Sequence, residues 1–241
     1  MLTFGRWLFR YRNRVFPIVL LGLFVSFRPH LFLGSVQTDL WLDAVGLGVA
    51  LAGQWLRATV VGFAYIKRGG VNKQVYADSL VTAGLFAHGR NPLYVGNLMI
   101  LAGLFLIFNN PWVYVLGGIF FGLGYIAIVQ TEEDFLSKKF GDEYRAYCAR
   151  VSRWLVQFDG IAVTLADMEF DWRRVLSKEL ASAVVWWLTA MGLIAAEAWV
   201  NSSSLSSVRA ATVAASAAIA IVFLLLARVA KHRGWLNKSA A

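Results

Sequence analysis

The sequence is poor in charged residues, in cysteine and in histidine. Only 15% of the 241 residues are charged, whereas 59% are hydrophobic and the mean hydropathy is +0.59. A soluble domain carries about 25% charged residues, so this composition excludes an ordinary soluble globular domain. The single cysteine, Cys148, excludes an internal disulfide, and the three histidines are too scattered to predict a metal site.

Long apolar runs predict an all-α, polytopic integral membrane protein. A helix needs about 20 residues to cross the hydrocarbon core of a bilayer. Runs near that length predict six transmembrane helices, at Val15–Leu33, Leu40–Ile66, Tyr94–Phe108, Trp112–Gln130, Leu180–Val200 and Val208–Ala227. An amphipathic cytoplasmic helix is predicted from about Thr131 to Trp154, with a bend at Gly141.

The basic residues predict the orientation of these helices. Lys and Arg concentrate at the N-terminus, between spans two and three, between spans four and five, and at the C-terminus, whereas the opposite loops hold only Arg28 and Arg209. The positive-inside rule then places both termini in the cytoplasm. The net charge of +9 is expected to interact with anionic lipid headgroups, and no nucleic acid partner is predicted.

The chain is expected to have three parts. Residues 1–156 form a membrane core, residues 157–178 an interfacial linker, and residues 179–241 a C-terminal extension of two membrane helices. The final helix is rich in alanine, which allows helices to approach closely in lipid.

A polar segment, Arg90 to Gly96, is predicted to begin the third span. Pro92 disfavours helical geometry at Asn91, so the helix is expected to start at Pro92. The free backbone N–H groups there favour a carboxylate or phosphate. Tyr94 follows within the first turn, and Gly96 lets another backbone or a ligand approach closely.

A pair of acidic residues, Glu132 and Glu133, is expected where the fourth span leaves the membrane. Consecutive helical side chains point about 100° apart, so one carboxylate can face a ligand while the other faces arginine or water. Such a group could hold a cation, an amine or a ribose hydroxyl. The alternative is that the pair only ends an apolar helix at the water line.

Other polar residues and glycines lie within the predicted spans. Arg57 costs about 2.5–3.5 kcal/mol to insert at membrane depth and therefore needs a partner or an aqueous cavity. Glu179 and Glu197, near the two ends of the fifth predicted span, are interpreted as residues at the membrane interface. Gly118 and Gly122 are expected to support helix packing.

The ordered combination of these motifs resembles the isoprenylcysteine carboxyl methyltransferase and phospholipid methyltransferase superfamily. The resemblance covers roughly residues 40–156 and rests on Gly84–Gly96, Glu132-Glu133, Phe140–Tyr144 and Tyr147–Val151. It implies S-adenosylmethionine as methyl donor, a hydrophobic or lipid-like acceptor, and a site at the cytoplasmic membrane face. The Arg-Asn-Pro sequence is similar to the bacterial branch, which implies a bacterial inner-membrane location.

The resemblance also implies roles for individual residues. Arg90, Glu132 and Glu133 are expected to be catalytic. Arg57 and Tyr144 are expected to contact the acceptor. The expected cofactor-binding residues are Arg90, Asn91, Pro92, Tyr94, Gly96, Glu132 and Glu133.

The sequence departs from the carboxyl methyltransferase pattern at three places. Asn91 stands where the eukaryotic enzymes have histidine, Gln130 replaces an arginine that could pair with a substrate carboxylate, and two helices follow Trp154. The acceptor atom, O or N, and the oligomeric state stay open. The alternative function is a non-catalytic membrane binding or assembly protein on the same scaffold.

Overall fold

All regular secondary structure among the residues that the computed structural model describes is helical. These are residues 1–63, 75, 77–166, 168–202 and 207–235, without the side chains of residues 202 and 207–209. The basic residues Lys67, Arg68 and Lys73, between the second and third predicted spans, lie outside them. The helices are α1 (Leu2–Ser26), α2 (Val36–Phe63), α3 (Pro92–Phe108), α4 (Gly118–Arg150), α5 (Ile161–Ala166), α6 (Trp172–Ser202) and α7 (Ser207–His232).

The prediction of an all-α, polytopic membrane protein is confirmed. Four helical segments are long and apolar enough to cross a membrane: Val36–Phe63, Val113–Arg150, Trp172–Asn201 and Ala210–His232. α3 is also apolar but shorter. Large apolar side chains face outward from the helices, including Ile18, Val25, Trp41 and Ile119. Such a surface suits lipid and would be costly in water.

The first predicted span differs in extent from the observed helix. α1 begins at Leu2, so the arginine-rich N-terminal stretch is helical together with the apolar run that follows it. The helix ends at Ser26, before Arg28-Pro29-His30, because the residue before a proline disfavours helical geometry. α1 is not among the helices that satisfy the length and hydropathy requirement for a span.

The turn between α3 and α4 lies at Asn109-Asn110-Pro111, a sequence that favours a turn between two apolar runs. Asn109 adopts a left-handed conformation with φ of 44°. The side-chain oxygen of Asn110 accepts hydrogen bonds from the backbone of Trp112 and Val113, at 2.9 and 3.3 Å, and its amide donates to the Arg28 carbonyl at 2.8 Å. A π-helical turn, Val113–Gly117, then leads into α4.

α4 combines the predicted fourth span with the predicted amphipathic helix. At Gly141 the backbone has φ of 52° and ψ of −118°, which confirms the predicted bend. A positive φ is accessible to glycine at little steric cost. The helix thus changes direction after leaving the apolar core.

Glycines allow α2 and α3 to pack closely, and Gly96, for which a close approach was predicted, is one of them. A Cβ built at Gly53 would lie 2.6 Å from the Gly96 carbonyl oxygen. A Cβ at Gly118 or Gly122 would meet no described atom within 4 Å. Within the described residues, the packing role expected for Gly118 and Gly122 is therefore wrong, because neither glycine meets another helix.

This difference predicts opposite effects of two alanine substitutions. Gly53→Ala is expected to destabilise the protein by about 1–3 kcal/mol, because the methyl group overlaps the α3 backbone. Gly118→Ala is the matched control, and its effect is expected to be neutral or stabilising by up to about 1 kcal/mol, from helix propensity. Thermal unfolding in detergent measures both, and equal midpoints for the two variants would contradict the packing role of Gly53.

The C-terminal extension shares the hydrophobic core of the rest of the chain. Trp186, Ala190 and Met191 of α6 are buried in one cluster with Ile100 and Leu104 of α3. α6 begins at Trp172, inside the segment expected to be a linker. α7 packs against α6 and is exposed over its apolar stretch. α6 is consequently an integral wall of the helix bundle.

Candidate active site

A cavity of about 690 Å³ lies among the helices near the start of α3. Its size is within the range of about 300–1,000 Å³ that small-molecule sites occupy. It brings together seven of the predicted site residues, namely Arg57, Arg90, Asn91, Tyr94, Glu132, Glu133 and Tyr144. The other two, Pro92 and Gly96, are buried and do not line it.

The start of α3 has the predicted geometry. Asn91 is non-helical, with φ of −130° and ψ of 48°, and Pro92 is the first helical residue. The backbone N–H of Arg90 donates to the Ser152 carbonyl at 2.9 Å, and the Asn91 amide donates to the Arg153 carbonyl at 3.1 Å. The chain that follows α4 therefore fixes the residues that enter α3.

Glu133 lies between two arginines. Arg90 Nη1 is 2.9 Å from Glu133 Oε1, and Arg153 Nη2 is 2.7 Å from Glu133 Oε2. Arg90 Nη1 also donates to Cys148 Sγ at 2.9 Å. The Nε of Arg90 is buried and has no hydrogen-bond partner among the described residues. A buried donor of this kind costs free energy unless something accepts its hydrogen bond.

The charge of Arg90 is maintained by its neighbours. Burial by itself lowers the pKa of Arg90, but Glu133, together with Cys148 and Tyr144, raises it above its ordinary value. The guanidinium is therefore cationic at all physiological pH values. Arg90 therefore gives the cavity wall a fixed positive charge, and its Nε is a buried N–H without a described partner.

Glu132 belongs to a second chain of hydrogen bonds. The Tyr94 hydroxyl donates to Glu132 Oε1 at 2.6 Å and accepts from Arg12 Nη1 at 2.9 Å. The Arg12 guanidinium carbon lies 4.2 Å from the centre of the Phe9 ring, a cation–π contact. Arg12 lines the cavity but was not among the predicted site residues. In sequence it was one of several basic residues preceding the first span.

Arg57, which was predicted to need a partner at membrane depth, is paired with Glu179 of α6. Its Nη2 lies 2.7 Å and its Nε 2.9 Å from Glu179 Oε2, and its Nη1 donates to Asn97 Oδ1. Glu179 is only 1% exposed. The interpretation of Glu179 as an interface residue was therefore wrong, because it is the buried counter-ion of Arg57. A Cβ at Gly96 would lie 2.6 Å from Arg57 Cγ, so Gly96 makes room for this side chain, as its predicted close approach required.

A second polar cluster lies outside the cavity. Asp39, Asp43 and Glu197 are buried, and each offers a carboxylate oxygen within 4.8 Å of the other two. Asp39 also accepts a hydrogen bond from the Phe32 backbone at 3.0 Å. Glu197 is thus buried as well, contrary to its interpretation as an interface residue. Carboxylates this close need a proton or a positive charge nearby to coexist.

Comparison with known proteins supports the relationship suggested by the motifs. The sequence model of the family described as phospholipid methyltransferase matches residues 41–143. This segment contains Arg57, the start of α3 and the Glu132-Glu133 pair. No solved structure matches the chain.

Individual relatives match over parts of their length. Protein-S-isoprenylcysteine O-methyltransferase of Mus musculus is 28% identical over 153 residues, which are 62% of this chain and 54% of the mouse protein. The Rattus norvegicus protein of the same name matches equally. Cobalt-zinc-cadmium resistance protein CzcN of Cupriavidus metallidurans is 36% identical over 103 residues, 37% of this chain and 47% of that protein. The chain thus spans about half the length of the curated relatives it matches.

The fold and the cavity define a membrane-embedded helical protein with a charged site at the end of its apolar helices. The matches confirm the resemblance to the isoprenylcysteine carboxyl methyltransferase and phospholipid methyltransferase superfamily, over the segment that supplies most of that site. α6 and α7 lie beyond the segment matched by the family model.

Proposed function

We propose that the protein is an S-adenosylmethionine-dependent methyltransferase that acts on a hydrophobic or lipid-like acceptor. The observation that carries this proposal is the convergence of Arg90, Glu132 and Glu133 on one cavity within the segment matched to the family. Side chains so far apart in sequence rarely form a charged site in an apolar protein without a function.

The residues of the cavity fit the chemistry of the cofactor. S-adenosylmethionine carries a carboxylate, an ammonium, a ribose and a sulfonium, so its site needs both cationic and anionic groups. Arg90, with its buried Nε lacking a partner among the described residues, would hold the carboxylate. Glu132, Glu133 and Asn91 would bind the cationic and hydroxyl groups.

When bound, the cofactor supplies a methyl group activated by its sulfonium. The contribution of the protein is to align the acceptor with that methyl and to exclude water. The apolar side chains of Phe9 and Phe16 line the cavity and provide a dry wall for an acceptor tail. Arg12 positions Glu132 through the Tyr94 hydroxyl, and Arg90 binds Glu133 directly. The charged wall of the cavity is therefore preorganised.

An amine acceptor would need a base, and the geometry favours Glu132. A carboxylate acceptor is already nucleophilic, whereas an ammonium must first lose a proton. Glu133 is engaged by both Arg90 and Arg153. Glu132 Oε1 has only the Tyr94 hydroxyl as a described partner and lines the cavity, so it would accept the proton of the acceptor.

The site is proposed to face the cytoplasm of a bacterial cell. The basic residues of the chain concentrate on the side of the membrane that carries both termini and the start of α3. The positive-inside rule assigns that side to the cytoplasm, where the cofactor is made. A cysteine introduced at exposed Glu143 is expected to raise labelling by a membrane-impermeant maleimide above that of the native Cys148 alone, and only after the cells are opened.

The function is tested by binding and transfer in the purified protein. Calorimetric titration is expected to show binding of S-adenosylmethionine and S-adenosylhomocysteine. Proteoliposomes given cofactor labelled in its methyl group are expected to transfer label to the lipid-extractable fraction, and excess S-adenosylhomocysteine should block the transfer. Well-folded protein that binds neither compound would contradict the proposal.

The second candidate function is a non-catalytic membrane assembly protein, favoured by the exposed apolar surface of α7. Deletion of the C-terminal extension would not separate the two functions, because Ser182 of α6 lines the cavity and Glu179 binds Arg57. The assembly protein is expected to bind no cofactor, and Arg90→Ala should leave its function intact.

A further inference from the structure

The ion pair between Arg57 and Glu179 joins the family-matched segment to the C-terminal extension. Arg57 lies in α2 within residues 41–143, whereas Glu179 lies in α6, beyond that segment. Both are buried, at 5% and 1% exposure, and Arg57 lines the cavity. The extension thus places a carboxylate directly behind a cavity-lining residue, and this feature can distinguish the chain from relatives that share only the core.

Protein groups occupy all three nitrogens of the Arg57 guanidinium. Nε and Nη2 both bind Glu179 Oε2, and Nη1 donates to Asn97 Oδ1. Bidentate recognition of a substrate carboxylate would use two of these same nitrogens. Arg57 was predicted to contact the acceptor, but the Nε–Nη2 edge of its guanidinium, one of the two edges that a carboxylate can bind, is already taken by Glu179.

Glu179 is held in this position by further contacts. Gln54 Nε2 lies 3.4 Å from Glu179 Oε2, and Gln54 Oε1 accepts a hydrogen bond from Trp186 Nε1 at 2.9 Å. Gln54 is in α2 and Trp186 in α6, so a second hydrogen bond ties the two helices together next to the ion pair. The carboxylate is thus fixed beside Arg57 as part of the helix interface.

The charge of this region determines which acceptor headgroup it tolerates. In a medium of low polarity, a second anion close to Arg57 would also be close to Glu179 and would be repelled by it. Without Glu179, the same cavity wall would carry an uncompensated guanidinium and attract an anion. The pair as a whole presents no net charge to the cavity.

We infer that Glu179 is a specificity-determining positioning residue, which makes the cavity reject anionic headgroups and select a lipid-like acceptor with a neutral or amine headgroup. This inference rests on the proposed function for the identity of the bound molecule as acceptor. It assigns the C-terminal extension a role in choosing the substrate. Removal of a repulsive element is a recognised way to change the specificity of a site.

The test compares three photoreactive long-chain probes that differ only in headgroup: a carboxylate, a hydroxyl and an amine. Full-length protein in phosphatidylcholine nanodiscs is irradiated with each probe, and mass spectrometry gives the labelling of cavity peptides relative to lipid-exposed α7. In the wild-type protein the carboxylate probe is expected to label the cavity less than the hydroxyl probe does. Equal labelling by these two probes would overturn the inference without any variant.

Two substitutions are expected to shift headgroup preference in opposite directions. Glu179→Gln should raise cavity labelling by the carboxylate probe relative to the hydroxyl probe by at least about fivefold, because Arg57 loses its counter-ion. Arg57→Gln should instead raise labelling by the amine probe, because Glu179 is left without Arg57. The double variant should return to the wild-type preference. A merely structural role would weaken labelling by all three probes together.

The matched control is Glu197→Gln, a buried glutamate on the same helix that lies beside Asp39 and Asp43, whereas Glu179 lies beside Arg57. Its probe preference is expected to equal that of the wild-type protein. Folded Glu179→Gln with unchanged preference would overturn the inference. Calorimetry with S-adenosylmethionine is run in parallel: a preference shift without cofactor binding would reject the proposed function alone, and cofactor binding without a preference shift would reject the inference alone.

Discussion

Arg90→Ala is expected to weaken the binding of S-adenosylmethionine by about 10- to 100-fold. The substitution removes the cavity guanidinium and with it the buried Nε that has no described partner. Hydrogen bonds to a charged group contribute about 1.5–3 kcal/mol, which corresponds to this range. Calorimetric titration of the detergent-purified protein measures the change directly.

Arg145→Ala is the matched control for this substitution. Arg145 is on the same face of the membrane and is also paired with an acidic residue, Asp142, but its side chain is 71% exposed and lies outside the cavity. Its removal is expected to leave cofactor affinity unchanged. Because Glu133 keeps Arg153 as a partner when Arg90 is removed, the variant is expected to remain folded, which the thermal midpoint checks. Equal affinities for both variants and the wild-type protein would contradict the role of Arg90.

The positions of the helices were largely predictable because they depend on local patterns. Apolar runs located α2, α3, α4 and α6, and Pro92 marked the start of α3 at the residue where the structure places it. Gly141 marked the bend in α4 for the same reason, since its φ of 52° is a local property of glycine. The extent of α1 was less predictable, because arginines tolerate helical geometry without adding to the hydropathy on which the prediction relied.

The site was predictable where its residues are close in sequence and unpredictable where they are not. Glu132 and Glu133 are adjacent, and their side chains were expected to point about 100° apart along the helix. In the structure Glu133 contacts Arg90, whereas Glu132 accepts a hydrogen bond from Tyr94. The partner of Arg57 is 122 residues away and that of Tyr94 on α1 is 82 residues away. Several acidic residues could have satisfied Arg57, and only the packing of α6 against α2 selects Glu179.

The packing glycines show the same distinction. The pattern of small residues is similar around Gly53 and around Gly118, but only Gly53 meets another helix at the distance where a methyl group would overlap it. Which face of a membrane helix contacts protein and which contacts lipid depends on the neighbours. Spacing alone therefore predicts that close packing is possible, and the tertiary structure decides where it occurs.

Substitution of the two glutamates is expected to separate cofactor binding from chemistry. Glu133→Ala removes the carboxylate that both Arg90 and Arg153 bind, so Arg90 loses its position and cofactor affinity is expected to fall by at least about tenfold. Glu132→Gln retains an oxygen that can accept the hydrogen bond from Tyr94 but cannot take up a proton. Its cofactor affinity is expected to change little, whereas transfer to an amine acceptor should slow by about 10²- to 10⁴-fold.

The two variants serve as controls for each other, because they are adjacent on α4 and remove or neutralise the same functional group. Calorimetry gives the affinity and single-turnover transfer of labelled methyl gives the chemical rate, so a loss of binding cannot be mistaken for a loss of base. A hydroxyl or carboxylate acceptor would lessen the effect of Glu132→Gln on the rate, and comparison among acceptor headgroups would then identify the methylated atom. Unchanged cofactor affinity in Glu133→Ala and in Glu132→Ala would remove the glutamate pair from the cofactor site and leave its contacts with Arg90 and Tyr94 as purely structural.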